Sequence, residues 1–236
     1  FYRGEIEKVT YVAYYNNTCV SSVTKDGFVS VGNTTSSSNA SSYSYSFENE
    51  SDLNDSIGDW ILGQSTNIAN QWNFNTGDNT IWKWENGTAF DGTSSIKVDG
   101  KEMLVGVSTE IVSKAYNLSA FTSPAIKFSW SGAAANTFPV NVLEVSYSKN
   151  CGEDWLSVGA LDAVEASNAG IYTTSFKPKS TEWNSIVMTK TQLKDPNIRF
   201  KFKYVVNGSS NNFYLDNIMI GEEASLLIAE STTNLK

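Results

Sequence analysis

IRFKFKY, residues 198–204, alternates without a break: Ile198, Phe200, Phe202 and Tyr204 on one side, Arg199, Lys201 and Lys203 on the other. Successive side chains of a strand point to opposite faces, so this run describes a strand with one row in a core and a basic row in water. Half-buried strands of this kind belong to antiparallel sheets. The same period recurs at Ile126, Phe128 and Trp130 against Lys127 and Ser129. It recurs again at Leu143, Val145 and Tyr147 against Glu144, Ser146 and Ser148. Turn pairs punctuate the runs at Asn86-Gly87, Asp91-Gly92, Asp99-Gly100 and Asn207-Gly208. No segment carries a convincing helical period. Many short antiparallel strands over residues 46–221 predict an all-β fold, a jelly-roll β-sandwich.

Composition agrees. The chain has 236 residues, 40% hydrophobic and 13% aromatic, which is enough to fill a core. Only 18% are charged, so much of the polar surface must come from Ser, Thr, Asn and Gly, a profile that favours strands. The net charge of −8 repels phosphate backbones and argues against nucleic acid. It suits calcium ligation or plain solubility equally well. Near the C-terminus the longest apolar stretch, Leu226 to Ala229, is far too short to span a membrane, and no membrane insertion is expected. Histidine is absent, which excludes HExxH zinc proteases, Ser-His-Asp hydrolases and Cys-His proteases as activities of this chain. Two cysteines, Cys19 and Cys151, have neither CxxC nor metal-binding spacing; a mutual bridge, burial, or a partner outside this chain all remain open. A start at Phe1 without Met or a signal peptide reads as a piece of something longer.

Residues 1–31 contain two strand-like runs, VTYVAYY and SSVTKDGFVSV, too few for an independent core. Residues 32–45 are rich in Ser, Asn and Thr and read as a linker, and residues 222–236 as a C-terminal linker.

Between these linkers an ordered series of motifs runs through TEIVSKAYNLSAFTSPAIKFSWSGAAA (109–135), NVLEVSYSKNCGEDWLSV (141–158), FKPKSTEW (176–183) and NIRFKFKYV to NNFYLDNIMI. With the opening Phe47-Glu48 and Gly58-Asp59-Trp60, it resembles the jelly-roll modules of secreted Bacteroidetes proteins, related to MAM domains and to the cleaved-adhesin domains of gingipains. The S-x-[DN]-C-G-x-x-W element, Ser148 to Trp155, and the closing NN-x-Y-L-D-N-I are its most specific pieces. Residues 6–31 resemble the last strands of a PKD-type domain, an order similar to the region behind the catalytic domain of pappalysin-like metalloproteases. Two features depart from that pattern: the PKD-like part is incomplete, and the usual Ser-Pro before the central strand reads Ser113-Lys114. The resemblance implies a non-catalytic adhesion or interaction module, secreted or on the cell surface. Its partners would be a glycan or protein surface and neighbouring domains of the same chain.

It also implies a structural calcium held by Glu48 and Asp216, with Asp91 of FDGTSSIKV as a third ligand. The chemistry is sound, because calcium takes six to eight hard oxygens and carboxylates from first and last strands can supply some of them. Two other settings for Asp216 are a solvent-facing strand edge and a turn whose amides it accepts. Glu50, Asp52 and Asp55 crowd the opening loop, and acidic loops are usually just solvated. Paired acids hydrolyse glycosides, yet no E-x-D-x-E strand motif is present, and with 25 acidic residues some pair will always be close.

Trp82 and Trp84 lie two apart and so share a face, either as a sugar-stacking platform or as core. The resemblance implies that Trp60, Trp130, Trp155 and Trp183 are buried. The Arg199-Lys201-Lys203 row is either an anion-binding strip or an ordinary solvated face, and Asp55-Ser56-Ile57 matches a short O-glycosylation pattern.

Overall fold

The computed structural model describes residues 10–15, 18–24, 42–49, 60–62, 66–67, 82–150 and 152–227. Cys151 and residues 50–59 with their acidic cluster lie outside them. Strands β1 (Thr10–Tyr15) and β2 (Thr18–Thr24) form a two-stranded antiparallel sheet of their own.

The other twelve strands make two six-stranded antiparallel sheets. They are β3 (Tyr43–Tyr45), β4 (Trp60–Leu62), β5 (Thr66–Asn67), β6 (Trp82–Asn86), β7 (Ser94–Val98) and β8 (Val107–Ser113). There follow β9 (Pro124–Ala134), β10 (Val142–Ser148), β11 (Leu156–Leu161), β12 (Asn184–Thr189), β13 (Arg199–Val205) and β14 (Ser210–Glu222). The first sheet runs β11-β10-β13-β8-β4, with β5 also on β8; the second runs β12-β9-β14-β7-β6, with β3 also on β14. From β7 onward the chain changes sheet at every connection except the β10–β11 hairpin. That alternation between facing sheets is the jelly-roll arrangement expected from the pattern of residues.

IRFKFKY behaves as its period requires. Phe200 and Phe202 are fully buried, while Lys201 and Lys203 are half-buried on the outer face. Phe202 meets Phe128 of the opposite sheet edge-on at 5.1 Å, and Tyr204 stacks on Phe213 at 4.9 Å. Edge and offset contacts of this kind are the favoured aromatic geometries, and they join the two sheets directly.

The outer basic row differs from expectation. Arg199 is buried, donates from Nη1 to the Ser113 carbonyl at 3.4 Å, and has its pKa lowered by that burial. Register sets Lys203 between Glu144 and Glu110. Accordingly, Lys203 pairs with Glu144 at 3.3 Å and Lys201 with Glu110 at 3.5 Å. The row is therefore not a strip of free positive charge. Trp155 is half-buried rather than core, with Lys201 Nζ 4.5 Å from its ring centre.

The S-x-N-C-G-x-x-W element is a tight loop. Ser148 Oγ accepts from the amides of Asn150 and Gly152, and Asn150 Oδ1 accepts from the Asp154 amide. Gly152, at φ 90°, lies so close to Trp155 that a Cβ would stand 3.2 Å from its ring.

Residue 42 and Leu226 both adjoin Gly221, so residue 42 and the end of β14 lie at one pole, here the tether pole. The opposite, far pole carries the loops 99–106, 135–141 and 206–209.

Candidate functional site

β14 is the spine of the second sheet. Phe213 and Leu215 point into the core, and so do Ile218 and Ile220. The parity of the inward row therefore changes between residues 215 and 218. A register shift against β9 lies between Asp216 and Met219, and Asn217 has φ 48°, which Asn tolerates better than most residues. Asp-Asn in the middle of an apolar run is thus the signature of a β-bulge.

The outer face of β14 grips two other segments. Asn211 Nδ2 donates to the carbonyls of Tyr172 and Thr174 at 2.7 and 2.8 Å, and its Oδ1 accepts from the Phe176 amide at 2.9 Å. Asn212 donates to Ser175 Oγ and the Phe176 carbonyl, which also accepts from the Tyr214 hydroxyl. Phe176, Trp183, Tyr214 and Ala133 make a small second core there, flanked by Phe90 and Tyr172. Lys127, outward-facing by its period, is buried further along this face, where its Nζ donates to the Leu226 carbonyl at 3.3 Å.

Two turns of alternation further on stands Asp216. It has no exposed surface, its Oδ2 accepts from the Phe90 and Asp91 amides at 2.7 and 3.1 Å, and its Oδ1 accepts from the Asn217 amide at 2.7 Å. Burial nevertheless pushes its pKa up to about 7, because three amides offset the lost hydration only in part and the nearby Asp91 charge adds to the rise. Its cross-strand neighbour on β9 is Ser129, whose hydroxyl is paired with Ser185 at 2.8 Å. The solvent-facing alternative for Asp216 is therefore wrong. Its partners are the turn amides.

Glu48 grips the same loop from the other end. Both its carboxylate oxygens accept from the Thr93 amide at 3.1 and 3.0 Å, and Oε2 accepts from the Thr93 hydroxyl at 2.8 Å. Its backbone is set by Phe47, which sits at φ 51° although it is bulky. Trp84 Nε1 donates to the Phe47 carbonyl at 2.8 Å, and the Phe47 side chain is fully buried, so packing holds this strained conformation. Between the two carboxylates lies Gly92 at φ 74°, where a Cβ would fall 2.2 Å from Glu48 Oε1.

Glu48, Asp91 and Asp216 thus meet at one loop, 90–94, with Asp91 exposed upon it. In donor type they fit calcium, which binds carboxylates together with carbonyl oxygens. Among the described residues, no three acidic, histidine or cysteine side chains are grouped so that they alone could hold a metal. The remaining oxygens would have to be carbonyls.

The tryptophan platform is corrected. Trp82 is 1% exposed and packs edge-on to Phe213 at 6.1 Å, and a side chain at that depth cannot stack on a sugar. Trp84 shares its face, as the spacing requires, and is half-buried against the core. Period two says that two side chains share a face, not which face is wet. Nothing in the sequence marked Trp84 as the donor that fixes Phe47, or Asn211 as the anchor of the crossover. For Asn211 the one signal was its place in the closing NN-x-Y-L-D-N-I motif.

No family model and no curated protein sequence matches the chain. Solved structures do. The K2 cleaved adhesin domain of Lys-gingipain is 18% identical with a TM-score of 0.52, over 76% of this chain and 99% of that one. The K1 cleaved adhesin domain of Lys-gingipain from Porphyromonas gingivalis W83 is 13% identical with a TM-score of 0.49, over 78% and 99%. A carbohydrate-binding module, CBM27-1 of Caldicellulosiruptor saccharolyticus solved with mannohexaose, is 10% identical with a TM-score of 0.49, over 77% and 97%. At such identities the likeness to the K2 domain is one of fold: this chain contains a β-sandwich similar to a cleaved adhesin domain.

Proposed function

We propose that the chain is a non-catalytic, extracellular interaction module of a larger secreted or cell-surface protein, engaging a protein or glycan surface, with calcium tying its 90–94 loop. The observation that carries the reading is the convergence of Glu48 and Asp216, from opposite ends of the sandwich sequence, on one five-residue loop. Glu48, Asp91 and Asp216 would hold the ion with loop carbonyls, and it would neutralise the buried carboxylate that no cation offsets among the described residues. Similarity of fold to an adhesin domain and the motif series over residues 46–221 support the adhesive role. A metalloprotease in the same parent protein belongs to the proposal on the strength of the motif order alone. No helix among the described residues is long and apolar enough to cross a membrane.

The test is thermal unfolding in calcium and in EDTA, with a glycan array probed in the same two buffers. A ligand of the folded state raises stability by RT ln(1 + [L]/Kd), about 2.7 kcal/mol at a hundredfold excess over Kd. That rise should vanish in Asp216→Ala. Absence of any shift in metal-free protein would remove calcium from the reading, and turnover of a peptide or polysaccharide by this chain would end the non-catalytic one.

A further inference from the structure

The edges of the two sheets are not protected alike. At one side of the sandwich β4 and β5 are three and two residues long, and β6 carries Lys83 and Glu85. At the other side β11 contains Gly159 and is bulged against β10 at Val158. Short length, charge and bulges all discourage a further strand from pairing. β12 has none of them. Its residues 184–189, NSIVMT, include no charge, proline or glycine and keep one unbroken register with β9. The open side of β12 makes no backbone hydrogen bond to any other described residue, and the chain to either side of it, residues 152–183 and 190–227, is described.

What would pair with β12 follows from three features. The outward N–H and C=O groups of an edge strand are met in register by another extended chain, which supplies the same groups at the same spacing. Ile186 faces the core in the same row as Met188 yet is only half-buried, so its open flank suits an apolar side chain on a strand beside it. Charge sets the rest. Residues 176–194 carry Lys177 and Lys179 before the strand and Lys190 and Lys194 after it, against Glu182 alone, in a chain whose net charge is −8. All four lysines are exposed, and among the described residues only Lys179 has a carboxylate in reach, Glu182 at 4.0 Å. Asp195, next along the chain, pairs with Lys149 at 3.7 Å.

We infer that β12 accepts an additional strand, an extended acidic segment of another protein that is apolar at every second residue and whose ends lie against the four lysines. The second copy of this chain is the wrong partner, because its own β12 would bring the same lysines to the contact and like charges would oppose the pairing. In such strand addition the main chain supplies affinity and the alternate side chains supply selectivity. The inference rests on the reading of the chain as an interaction module and gives that module a protein partner, without depending on calcium or on a glycan.

Titration of the full isotope-labelled chain with the end-blocked peptide EEVTVTVTEE, followed by amide NMR, tests it. Shifts centred on β12 are expected, with a Kd of about 100 μM that weakens with added salt. Every second β12 amide should exchange with solvent quickly in the free chain and about tenfold more slowly when peptide is bound. The same peptide with lysine for glutamate should bind at least tenfold more weakly, and one with proline at its centre, which cannot complete the ladder, should not bind. Lys177→Glu combined with Lys190→Glu, both at exposed sites, should raise Kd about tenfold or more. Outward β12 amides already protected in the free chain would mean that another part of this chain lies along the edge, and that overturns the inference. So does equal affinity for the three peptides, an affinity untouched by the charge reversals, or no shift at about 1 mM peptide. Glycan-array binding by a chain indifferent to the peptides would leave the interaction-module reading standing while this one fell.

Discussion

One strand holds two loops by different chemistry. Asn211 and Asn212 fasten the 172–176 segment with neutral amides, and Asp216 fastens the 90–94 loop with a carboxylate. All three side chains are buried. A carboxamide brings donors and an acceptor into the interior with no net charge, so its hydrogen bonds are close to a clear gain. A carboxylate brings an acceptor alone and loses far more hydration, which is why its pKa climbs to about 7. An asparagine could not replace it, since its one carbonyl oxygen would take the Phe90 and Asp91 amides and leave its NH2 facing the Asn217 amide. Three amides converging from two sides call for two acceptor oxygens, and their cost is the buried charge.

The largest effect should separate the two anchors directly. Asn211→Ala strands the carbonyls of Tyr172 and Thr174 and the Phe176 amide, at a cost of about 3 kcal/mol in chemical denaturation. Metal-free Asp216→Ala should cost less, about 1–2 kcal/mol, because the lost hydrogen bonds are partly offset by removing a buried charge. Equal losses for the two would mean that the carboxylate carries no burden to relieve.

Next in size, Gly92→Ala should cost about 2 kcal/mol, since a left-handed backbone and a collision with the Glu48 carboxylate act together. The comparison sharpens if Glu48→Ala added to Gly92→Ala recovers the part due to the collision.

A smaller effect lies in pH. The folded pKa of Asp216, about 7, is above its unfolded value near 3.9, so the folded state binds more protons between those limits. In EDTA this group should therefore make stability fall as pH rises from about 4 to about 7. With calcium bound the sign should reverse, because the ion competes with the proton. Glu182 works the other way: its hydrogen bond from Tyr172 holds its pKa below the ordinary range, so its contribution is lost only under more acidic conditions. Melting temperature against pH in the two buffers reads both. Identical slopes would count against a cation at Asp216.

Much of the fold was legible because period two is a backbone property written directly in side-chain order. Phe200, Phe202, Phe128 and Val145 are buried as their rows require. Less was legible where one strand's outer face is another segment's floor. Lys127 and Arg199 obey the period and are buried all the same, covered by elements distant in sequence. The meeting of Glu48, Asp91 and Asp216 followed from motif resemblance. The groups that Asp216 and Glu48 actually hold are mostly backbone amides, and those have no letter. Likewise Asp-Asn as a bulge could be read only once the inward row changed parity beside it.

The short strand β3 has a mechanical consequence. It lies antiparallel to the end of β14, Tyr43 opposite Ile220 and Tyr45 opposite Ile218, with both chain connections leaving from the same side. Tension between residues 42 and 227 would peel that pair apart like a zipper, one bridge at a time, rather than shear it. The next attachments to take the pull would be the Phe47 carbonyl on Trp84 and the Glu48 carboxylate on Thr93. A module stretched between neighbours would thus give way cheaply for a few residues and then stop at its carboxylate clip, which becomes the fuse of the fold.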